Sequence, residues 1–282
     1  MLSETTKRQI LDGVAALGPG RPLPIVVASN DYARLLDNWL CHMDALAIER
    51  ILVVAMDATL AARLANGPYP VACGSFDGSE KDFWLQRTYI WSFLVDQGIE
   101  YIQSDVDAVW LRDPIAAFSQ LQFDLAISEG TGHPLDIHAI WNFVLCTGFF
   151  WVRPTQAAQR FLHMLVDPPE PMLRSDDQAL LNRMLSAMGM LWMTGNVPSY
   201  QLRLHTLPFT CYREPLQGFC ASLGLRLTML PHHLFPRIQP GDPNAIVRHV
   251  LREGSQENRI QRMREHGCWL LDARPNGFAL DR

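Results

Sequence analysis

The alternation of short apolar runs with amphipathic stretches over the first 110 residues constrains the fold more than any other feature. The apolar runs are PIVVAS, ERILVVAMD, YPVACG and IEYIQS. Between them lie segments with helical character, namely YARLLDNWLCHMDAL, ATLAARLANG and EKDFWLQRTYIWSFLVDQG. Strands that alternate with helices are typical of parallel βαβ units, in which helices cover both faces of the sheet. The sequence therefore predicts a layered α/β sheet.

The second half of the chain departs from this alternation. FDLAISE and NFVLCTGFFWVRP predict two more strands, and QAAQRFLHMLVD and SDDQALLNRMLSAMG predict two more helices. After Leu191 the pattern is irregular and rich in proline. A chain of 282 residues can hold one large α/β domain or two small ones, and it contains no internal repeat. One domain with a variable C-terminal half is therefore expected.

Charge, hydropathy and cysteine spacing exclude several classes of protein. The formal net charge of -5 argues against a sequence-independent nucleic-acid binder, which normally carries a basic face. The N-terminus lacks the apolar core of a signal peptide, and no run approaches about 18 apolar residues. We therefore expect a soluble, cytoplasmic protein without a membrane segment. The six cysteines form no CxxC pair, which predicts reduced and mostly buried thiols.

Two aspartates, Asp105 and Asp107, interrupt the otherwise apolar stretch YIQSDVDAVWLRDP. On a strand they would point to the same face, and two like charges held together need a cation between them. That cation is either a basic side chain or a divalent metal ion, which typically completes its shell with substrate phosphate oxygens. In the alternative interpretation, Asp105 caps a turn and Asp107 pairs with Arg112 on the surface.

A longer pattern surrounds this pair, and four further blocks follow it in order. The first block is D-x-D-x-x-W-x-R-D-P, formed by Asp105, Asp107, Trp110, Arg112, Asp113 and Pro114. The others are TGFFWVRPT, DDQALLNRML, LTMLPHHLFPR and VRHVLREGSQENRIQRMREHGCWLLD. Together, over residues 24–272, the chain resembles the nucleotide-diphospho-sugar transferases related to plant arabinosyl- and xylosyltransferases, which have a GT-A type fold.

The resemblance implies a fold class and a domain organisation. The fold is expected to be α/β of the GT-A type, with a Rossmann-like layered αβα sheet, a DxD metal site and an irregular C-terminal acceptor half. Residues 1–282 would form a single glycosyltransferase domain. Within it, residues 1–22 are expected to be an N-terminal helix and linker, and residues 23–272 the catalytic core.

The resemblance also implies a manganese ion, or a magnesium ion, held by Asp105, Asp107 and His249. An imidazole with carboxylates suits a borderline divalent ion and leaves positions open for a diphosphate. The ion would offset the charge that builds up on the departing nucleotide diphosphate. The alternative for His249 is a surface histidine beside Arg248.

Donor binding is expected from residues at strand ends and in the helix before the aspartate pair. The resemblance places Arg87 where its guanidinium can reach a metal-site carboxylate or a phosphate oxygen, although a solvated helix face is the alternative. Ser29, Asn30 and Asp57 lie at strand ends, where they could hold uracil and ribose. Asn30 and Asp57 could equally be helix caps, and both roles are compatible.

Asp177 and Gln178 open a predicted helix, with Ser175 or Asp176 as its N-cap. By resemblance, Asp177 and Gln178 are the catalytic pair that faces the donor sugar and the acceptor, together with Arg87. As plain structure they need no role beyond the first turn of the helix.

Thr147 and Gly148 are expected to line the same pocket, where the glycine would allow the sugar to approach closely. The resemblance further implies transfer with retention of anomeric configuration. The expected mechanism is front-face attack, in which the leaving phosphate accepts the proton of the acceptor hydroxyl.

Two positions depart from the family pattern. Cys146 replaces the asparagine that usually precedes T-G, and Leu251 replaces the asparagine two residues after the metal histidine. Both changes make the pocket less polar and leave the donor sugar open. An inactive nucleotide-sugar-binding module is therefore one alternative, and eight tryptophans that could stack on sugars are compatible with it.

A haloacid-dehalogenase-like phosphatase is the second alternative, because DVDAV also fits its D-x-D-x-[TV] motif. Such phosphatases normally carry the motif on the first strand, whereas at least two strand-helix units precede it here. The resemblance therefore implies a metal-dependent, retaining glycosyltransferase that uses a nucleotide sugar, with a UDP-sugar as the expected donor. Its acceptor is an unknown glycan, protein or small molecule, and no nucleic-acid partner is expected.

Overall fold

The computed structural model describes residues 1–20, 22–76, 78–172, 175–237, 242–251 and 254–273. The helices in these ranges are α1 (Glu4–Ala16), α2 (Ala33–Ala45), α3 (Ala58–Leu64), α4 (Glu80–Asp96), α5 (Pro114–Phe118), α6 (Leu135–Trp141), α7 (Gln156–Val166), α8 (Asp177–Ala187) and α9 (Gln256–Glu265). Single turns of 3-10 helix cover Asn30–Tyr32, Glu170–Met172 and Leu271–Ala273.

The strands in the described ranges follow the same chain order. They are β1 (Leu23–Ala28), β2 (Leu52–Ala55), β3 (Val71–Cys73), β4 (Tyr101–Ser104), β5 (Ala108–Trp110), β6 (Leu125–Glu129), β7 (Leu145–Val152), β8 (Leu191–Trp192), β9 (Ser199–Leu204), β10 (Leu207–Tyr212), β11 (Leu216–Cys220), β12 (Leu225–Leu230) and β13 (Val247–His249).

One mixed sheet of nine strands dominates the described residues, in the order β3-β2-β1-β4-β7-β6-β12-β11-β8. Strands β3, β2, β1 and β4 run parallel, as the alternation of strands and helices predicts. Strand β7 lies antiparallel between β4 and β6. Strand β12 then runs parallel to β6, while β11 and β8 extend that edge by antiparallel pairing. The predicted α/β sheet is confirmed.

Helices cover both faces of this sheet, so the molecule has three layers. Because successive side chains of a strand point to opposite faces, β1 contributes to both cores. Leu23, Ile25 and Val27 face the core under α1, α4, α7 and α8. Val26 and Ala28 face the core under α2, α3, α5 and α9. The layered αβα arrangement is the one expected from the sequence.

Several helices begin at an aspartate whose side chain caps them. The carboxylates of Asp57, Asp113 and Asp176 accept hydrogen bonds from main-chain amides in the first turns of α3, α5 and α8. Such caps satisfy amides that have no partner within the helix. Pro114 follows Asp113 at the first helical position, where its missing N–H costs nothing. The R-D-P part of the sequence motif therefore starts a helix.

The region after Leu191 contains more regular structure than the sequence predicts. Six strands, β8 to β13, lie in its described part. Strand β9 alternates exposed and half-buried residues and pairs only with β10, so it carries no continuous apolar run. Pro208 lies in this two-stranded ribbon, where a strand edge tolerates proline. Strand β12 joins β6, a partner that local sequence patterns cannot reveal.

Helix α1 covers the β3 edge of the main sheet. The Thr6 hydroxyl donates to the Cys73 carbonyl over 3.0 Å, and the Gln9 side-chain oxygen accepts from the Cys73 amide over 2.8 Å. Edge strands expose unpaired amides and carbonyls, and these two bonds satisfy such groups on β3. The predicted N-terminal helix therefore packs directly against the sheet.

None of the described helices combines the length and apolarity that crossing a membrane requires. All six cysteines are unpaired, and five of them are buried while Cys73 is half-buried. The prediction of mostly buried thiols is confirmed.

Candidate active site

The paired aspartates lie in a turn between β4 and β5, not on a strand as their spacing suggests. Strand β4 ends at Ser104, and the Ala108 amide closes the turn by donating to the Asp105 carbonyl over 3.0 Å. The Asp105 amide donates to the Gly148 carbonyl of β7 over 2.7 Å. The turn therefore sits at the carboxyl end of β4, where open α/β sheets bind ligands.

His249 reaches the same place through a short antiparallel ribbon. Strand β13 pairs with β5 so that His249 lies opposite Ala108. The Val250 amide then donates to the Asp107 carbonyl over 3.0 Å. His249 follows Asp107 by 142 residues in the sequence. The pairing of β13 with β5 nevertheless brings it next to the aspartate turn. His249 is 5% exposed, so the surface-histidine alternative is wrong.

Asp105, Asp107 and His249 form a compact cluster of ligand atoms. One such atom from each residue lies within 4.8 Å of the other two. The His249 Nε2 atom is 3.1 Å from Asp107 Oδ1 and 3.9 Å from Asp105 Oδ2. Among the residues that the structure describes, no other group of histidine, cysteine and acidic side chains has this geometry. Two carboxylates and an imidazole fit a borderline divalent ion.

Gly148 leaves room for this cluster. A Cβ atom at position 148 would lie 2.0 Å from His249 Cε1 and 2.8 Å from Asp105 Oδ2, distances that no real methyl group tolerates. The glycine therefore permits the imidazole to lie against β7. This observed contact is with a protein side chain, whereas the sequence predicted room for a sugar.

Asp107 is surrounded by positive charge. Besides His249, Arg259 of α9 places Nη1 2.8 Å from Asp107 Oδ2. Burial alone would raise the pKa of Asp107, but His249, Arg259 and Arg237 outweigh it and hold the pKa far below its ordinary value. Burial and Arg237 lower the pKa of His249, yet Cys146 and Asp107 raise it to about 9. Asp107 is thus ionised, and it pairs with His249 and Arg259 rather than with Arg112.

Arg87 links the cluster of Asp105, Asp107 and His249 to the start of α8. Its Nη2 atom lies 2.9 Å from Asp105 Oδ1, and its Nε atom lies 3.3 Å from Asp177 Oδ2. The guanidinium is 2% exposed and lies 5.2 Å from the Trp84 ring centroid, so it does not face bulk solvent. Burial opposes its charge, but Asp105 and Asp177 together raise the pKa of Arg87. The solvated-face alternative for Arg87 is therefore wrong.

Asp177 and Gln178 enter the same cavity, with Asp176 as the cap of α8. The Thr147 hydroxyl donates to Asp177 Oδ1 over 3.0 Å. Burial raises the pKa of Asp177 to about 6, although Arg87 opposes the shift. The Gln178 side-chain amide donates to the main-chain carbonyl of His133 over 2.6 Å. These bonds fix the two side chains at the cavity wall.

The three strand-end residues expected to bind the nucleoside lie in different environments. Ser29 lines the cavity. Asp57 instead uses both carboxylate oxygens for main-chain amides, over 2.8 Å to Leu60 and 2.6 Å to Asn30. Asn30 is exposed, and neither Asn30 nor Asp57 is among the cavity-lining residues. The structure therefore shows the capping role for Asp57.

The site lies in a cavity of about 390 Å³. Its walls bring together nine of the residues expected from the sequence, namely Ser29, Arg87, Asp105, Asp107, Thr147, Gly148, Asp177, Gln178 and His249. Cavity-lining residues to which the sequence assigned no role include Tyr32, Phe76, Trp84, His133, Arg237 and Arg259.

Arg237 and Arg259 are the most consequential of the missed residues. Arg237 is the last residue of the LTMLPHHLFPR block, and Arg259 lies in the basic helix of the final block. Both blocks carry the family resemblance, but the sequence assigned neither arginine a role. Arg259 is 5% exposed and shares one buried face of α9 with Ile260 and Met263. A basic residue within an apolar helix face was the available signal. Both arginines keep an Nε atom without a hydrogen-bond partner among the described residues.

Cys146 also contacts this site, but Leu251 does not line the cavity. The Cys146 sulfur lies 3.5 Å from His249 Nδ1 and accepts from the Gly148 amide over 3.4 Å. Burial alone would raise the pKa of the thiol, but the charges of Arg237 and His249 outweigh it and lower the pKa. The thiol thus lies against the His249 ring, on the side of Nδ1.

Around one concave space, the arrangement combines carboxylates, an imidazole and arginine N–H groups without a hydrogen-bond partner among the described residues. Such a set can hold a divalent cation and an anionic group next to it. Because burial strengthens electrostatic interactions, charge that develops on a bound anion would be stabilised strongly there.

Comparison with known proteins places this geometry in context. A family model described as nucleotide-diphospho-sugar transferase matches residues 46–268, which is well over half of the chain. No curated protein sequence gives a match. The confirmed αβα sheet and the Asp-Asp-His cluster agree with the GT-A fold expectation.

Solved structures with detectable similarity are distant. The galactosyltransferase LgtC in complex with donor and acceptor sugar analogues is 12% identical, with 57% of this chain and 69% of that chain covered and a TM-score of 0.43. An active-site mutant of LgtC is 10% identical, with coverages of 87% and 95% and a TM-score of 0.44. The glycosyltransferase GlyE of Streptococcus pneumoniae TIGR4 is 12% identical, with coverages of 59% and 43% and a TM-score of 0.41.

Proposed function

Because this chain belongs to the nucleotide-diphospho-sugar transferase family, we propose that it is a metal-dependent, retaining glycosyltransferase that uses a UDP-sugar. The acceptor in this proposal carries a hydroxyl group. Manganese is the proposed ion, with magnesium as the second choice. The proposal goes beyond the family assignment in its metal, its nucleotide and its stereochemical outcome.

One observation carries the proposal: Asp105, Asp107 and His249 converge at the carboxyl end of β4, inside the cavity. When bound, the ion would neutralise part of the charge on the diphosphate leaving group. Asp105, Asp107 and His249 would hold it. Its surroundings raise the pKa of His249 to about 9, so metal binding at Nε2 has to displace a proton that these surroundings favour.

Arginines beside the cluster are suited to the diphosphate. Arg237 and Arg259 each line the cavity and keep an Nε atom unpaired within the described part of the chain. Arginine binds phosphate oxygens through several N–H groups in a fixed plane. We assign them to hold the phosphates, which orients the bond between the sugar and the leaving group.

We assign Asp177, Gln178 and Arg87 to the sugar and the acceptor. Asp177 and Gln178 are fixed by Thr147 and by the main chain of His133, and Arg87 lies between Asp177 and Asp105. Their polar groups would orient sugar hydroxyls. In the proposed front-face mechanism the leaving phosphate accepts the acceptor's proton. Ser29, which lines the cavity, is assigned to the nucleoside. Asn30 and Asp57, which do not line the cavity, are assigned to it as well.

No observation favours the phosphatase alternative. The Asp-x-Asp turn follows the fourth strand in chain order, whereas a haloacid-dehalogenase-like phosphatase carries its motif on the first. Asp105 pairs with Arg87, and the family match is to sugar transferases. The inactive-module alternative predicts the same binding without turnover.

Turnover of a nucleotide-sugar panel tests the proposal. We expect UDP release from a UDP-sugar only when manganese or magnesium is present, and no phosphate release from a simple phosphate ester. Asp107→Asn should abolish the release, whereas Asp12→Asn, on the exposed face of α1, should leave it unchanged. Binding without turnover of any nucleotide sugar and any acceptor would contradict the enzyme assignment. Metal-independent turnover would contradict the assigned metal. A cytoplasmic location stays a prediction.

A further inference from the structure

Three N–H-bearing groups converge on the sulfur of Cys146. The Gly148 amide donates to it over 3.4 Å, an Nη1–H of Arg237 donates to it, and His249 Nδ1 lies 3.5 Å away. Cys146 is 1% exposed, so the sulfur is shielded from bulk solvent. An apolar buried cysteine would not collect three polar neighbours, because thiols in cores normally behave as small hydrophobic groups.

The two ring nitrogens of His249 face different partners. Nδ1 faces the Cys146 sulfur, while Nε2 faces the carboxylates of Asp105 and Asp107. A neutral imidazole carries one hydrogen, and a nitrogen that binds metal must be the one without it. Nε2 can therefore bind metal only when Nδ1 keeps its hydrogen, and the Cys146 sulfur is the acceptor placed to hold that hydrogen.

Strand β7 supplies both halves of this arrangement. Cys146 and Gly148 are two residues apart on β7, so their side-chain positions share one face of the sheet. At position 148 the missing side chain gives the imidazole its space, as a Cβ there would lie 2.7 Å from His249 Nδ1. At position 146 the sulfur lies 3.5 Å from Nδ1 of the ring. The ring is thus held in place and in orientation by the same strand.

We propose that Cys146 is a positioning residue of the metal site, which orients His249 by accepting its Nδ1–H and holds Arg237 beside the cavity. This inference rests on the proposed function, because it requires that the cluster binds a divalent ion. The polar partners of a metal-binding histidine fix its ring and tautomer, and their loss typically weakens metal binding about 10- to 100-fold. Position 146 therefore acts through His249 and Arg237 and need not touch the ion.

Two other roles for Cys146 are distinguishable from this one. As an inert core residue it would affect stability alone. As a direct ligand it would need to face the same point as Nε2, but the sulfur contacts the opposite side of the imidazole. A direct thiolate ligand would also favour soft ions such as cadmium over manganese.

The test compares Cys146→Ala with Cys146→Ser in the full chain without nucleotide. Manganese affinity is measured from the electron paramagnetic resonance signal of free Mn²⁺, and the unfolding temperature is measured in EDTA. We expect Cys146→Ala to weaken Mn²⁺ binding about 10- to 100-fold. Cys146→Ser keeps an oxygen that can accept from Nδ1 and should lose less. Cys220→Ala is the matched control, because Cys220 is buried on β11 outside the cavity.

Several results would overturn the inference. Mn²⁺ affinity of Cys146→Ala within twofold of the wild type would remove the positioning role. An equal loss in the serine and alanine variants, or a loss in Cys220→Ala as well, would reduce the role to packing. A far greater loss of Cd²⁺ than of Mn²⁺ affinity in Cys146→Ser would make the sulfur a ligand itself. If the wild type binds no Mn²⁺, the proposed metal dependence fails first, and this result is separate from the others.

Discussion

Two buried acidic residues on either side of β7 have opposite electrostatic environments. Asp107 lies in the turn after β4, and Glu129 is the last residue of β6. Asp107 is 5% exposed and Glu129 is 0% exposed. Asp107 pairs with His249 and Arg259, which keep its pKa far below the ordinary value. Burial instead raises the pKa of Glu129 well above its ordinary value.

None of the groups that shift the pKa of Glu129 is a cation, unlike those around Asp107. The Cys211 thiol and the Tyr212 main chain lie close enough to oppose the rise in the pKa of Glu129, but not enough to reverse it. Neither carboxyl oxygen has a hydrogen-bond partner of ordinary geometry among the described residues. A buried acid without a cation is neutral, and one with two cations is ionised. Only the second kind is prepared to bind a metal ion.

The largest expected effect comes from removing the charge of Asp107, the ionised member of this pair. Asp107→Asn keeps the size of the side chain but removes the charge that a metal requires. We expect Mn²⁺ affinity to fall by more than the roughly 100-fold limit for an indirect partner, because a ligand itself is lost. Electron paramagnetic resonance of free Mn²⁺ measures it, with Asp12→Asn as the control. Unchanged affinity in a folded variant would remove Asp107 from the site.

Removing a cation beside Asp107 should have the next largest effect. Arg259→Met keeps an unbranched side chain but leaves Asp107 with His249 as its one ion-pair partner among the described residues. Breaking a buried ion pair typically lowers the free energy of unfolding by about 3–5 kcal/mol. Urea unfolding in EDTA should show this loss, and Mn²⁺ should restore part of it, because the ion replaces the missing charge. A loss that Mn²⁺ leaves untouched would mean that the ion does not bind Asp107.

Filling the space beside His249 should have a smaller effect on stability. Gly148→Ala places a methyl group 2.0 Å from His249 Cε1, so the ring must move. Overpacking of this kind costs about 1–3 kcal/mol of unfolding free energy, and Mn²⁺ binding should weaken with it. Gly218→Ala is a matched control, since its Cβ would lie 2.3 Å from Met190 Cε, outside the site. Equal Mn²⁺ binding in both variants would show that His249 is not a ligand.

The smallest expected effect lies on the neutral side of the comparison. Glu129 stays protonated in the folded state, while the unfolded state loses that proton above pH about 4.3. Its contribution to stability is therefore fully present below that pH and decreases as pH rises. Above a pH of about 4.3, the free energy of unfolding of Glu129→Gln should rise relative to that of the wild type by up to about 1.4 kcal/mol per pH unit. Urea unfolding at pH 4 to 8 measures this.

The exposed Glu214→Gln serves as the control for that pH series. A wild type and a Glu129→Gln variant that keep the same stability difference at every pH would show that Glu129 is ionised in the folded protein. The two buried acids would then no longer differ, and a cation for Glu129 would have to be found.

The sequence predicted those parts of the molecule that depend on local patterns or ordered motifs. The parallel strands β1 to β4 follow from apolar runs, and the aspartate pair with His249 follows from the motif blocks. Asp105 and Asp107 were expected on a strand, but the strand ends at Ser104 because the Ala108 amide closes a turn there. Spacing alone does not distinguish a strand from a turn that presents two carboxylates together.

Other parts depend on contacts between distant segments. Arg237 and Arg259 come from separate C-terminal segments, and only the folded chain places both beside Asp107. Cys146 was noted as a missing amide, yet it contacts His249, which the pairing of β5 with β13 brings to the site, and Arg237, which lies outside both strands. Glu129 carries no motif, and its neutral state follows from the absence of any cation among the groups that shift its pKa.

Coupling between manganese and UDP tests the central claim most directly. The claim is that Asp105, Asp107 and His249 bind an ion that in turn holds the donor diphosphate. Calorimetric titration of UDP with and without Mn²⁺ should show at least tenfold tighter binding with the ion, about 1.4 kcal/mol of coupling. Asp107→Asn should lose this coupling. Equal UDP affinity with and without Mn²⁺ in the wild type would contradict the claim, since the cluster would then play no part in donor binding.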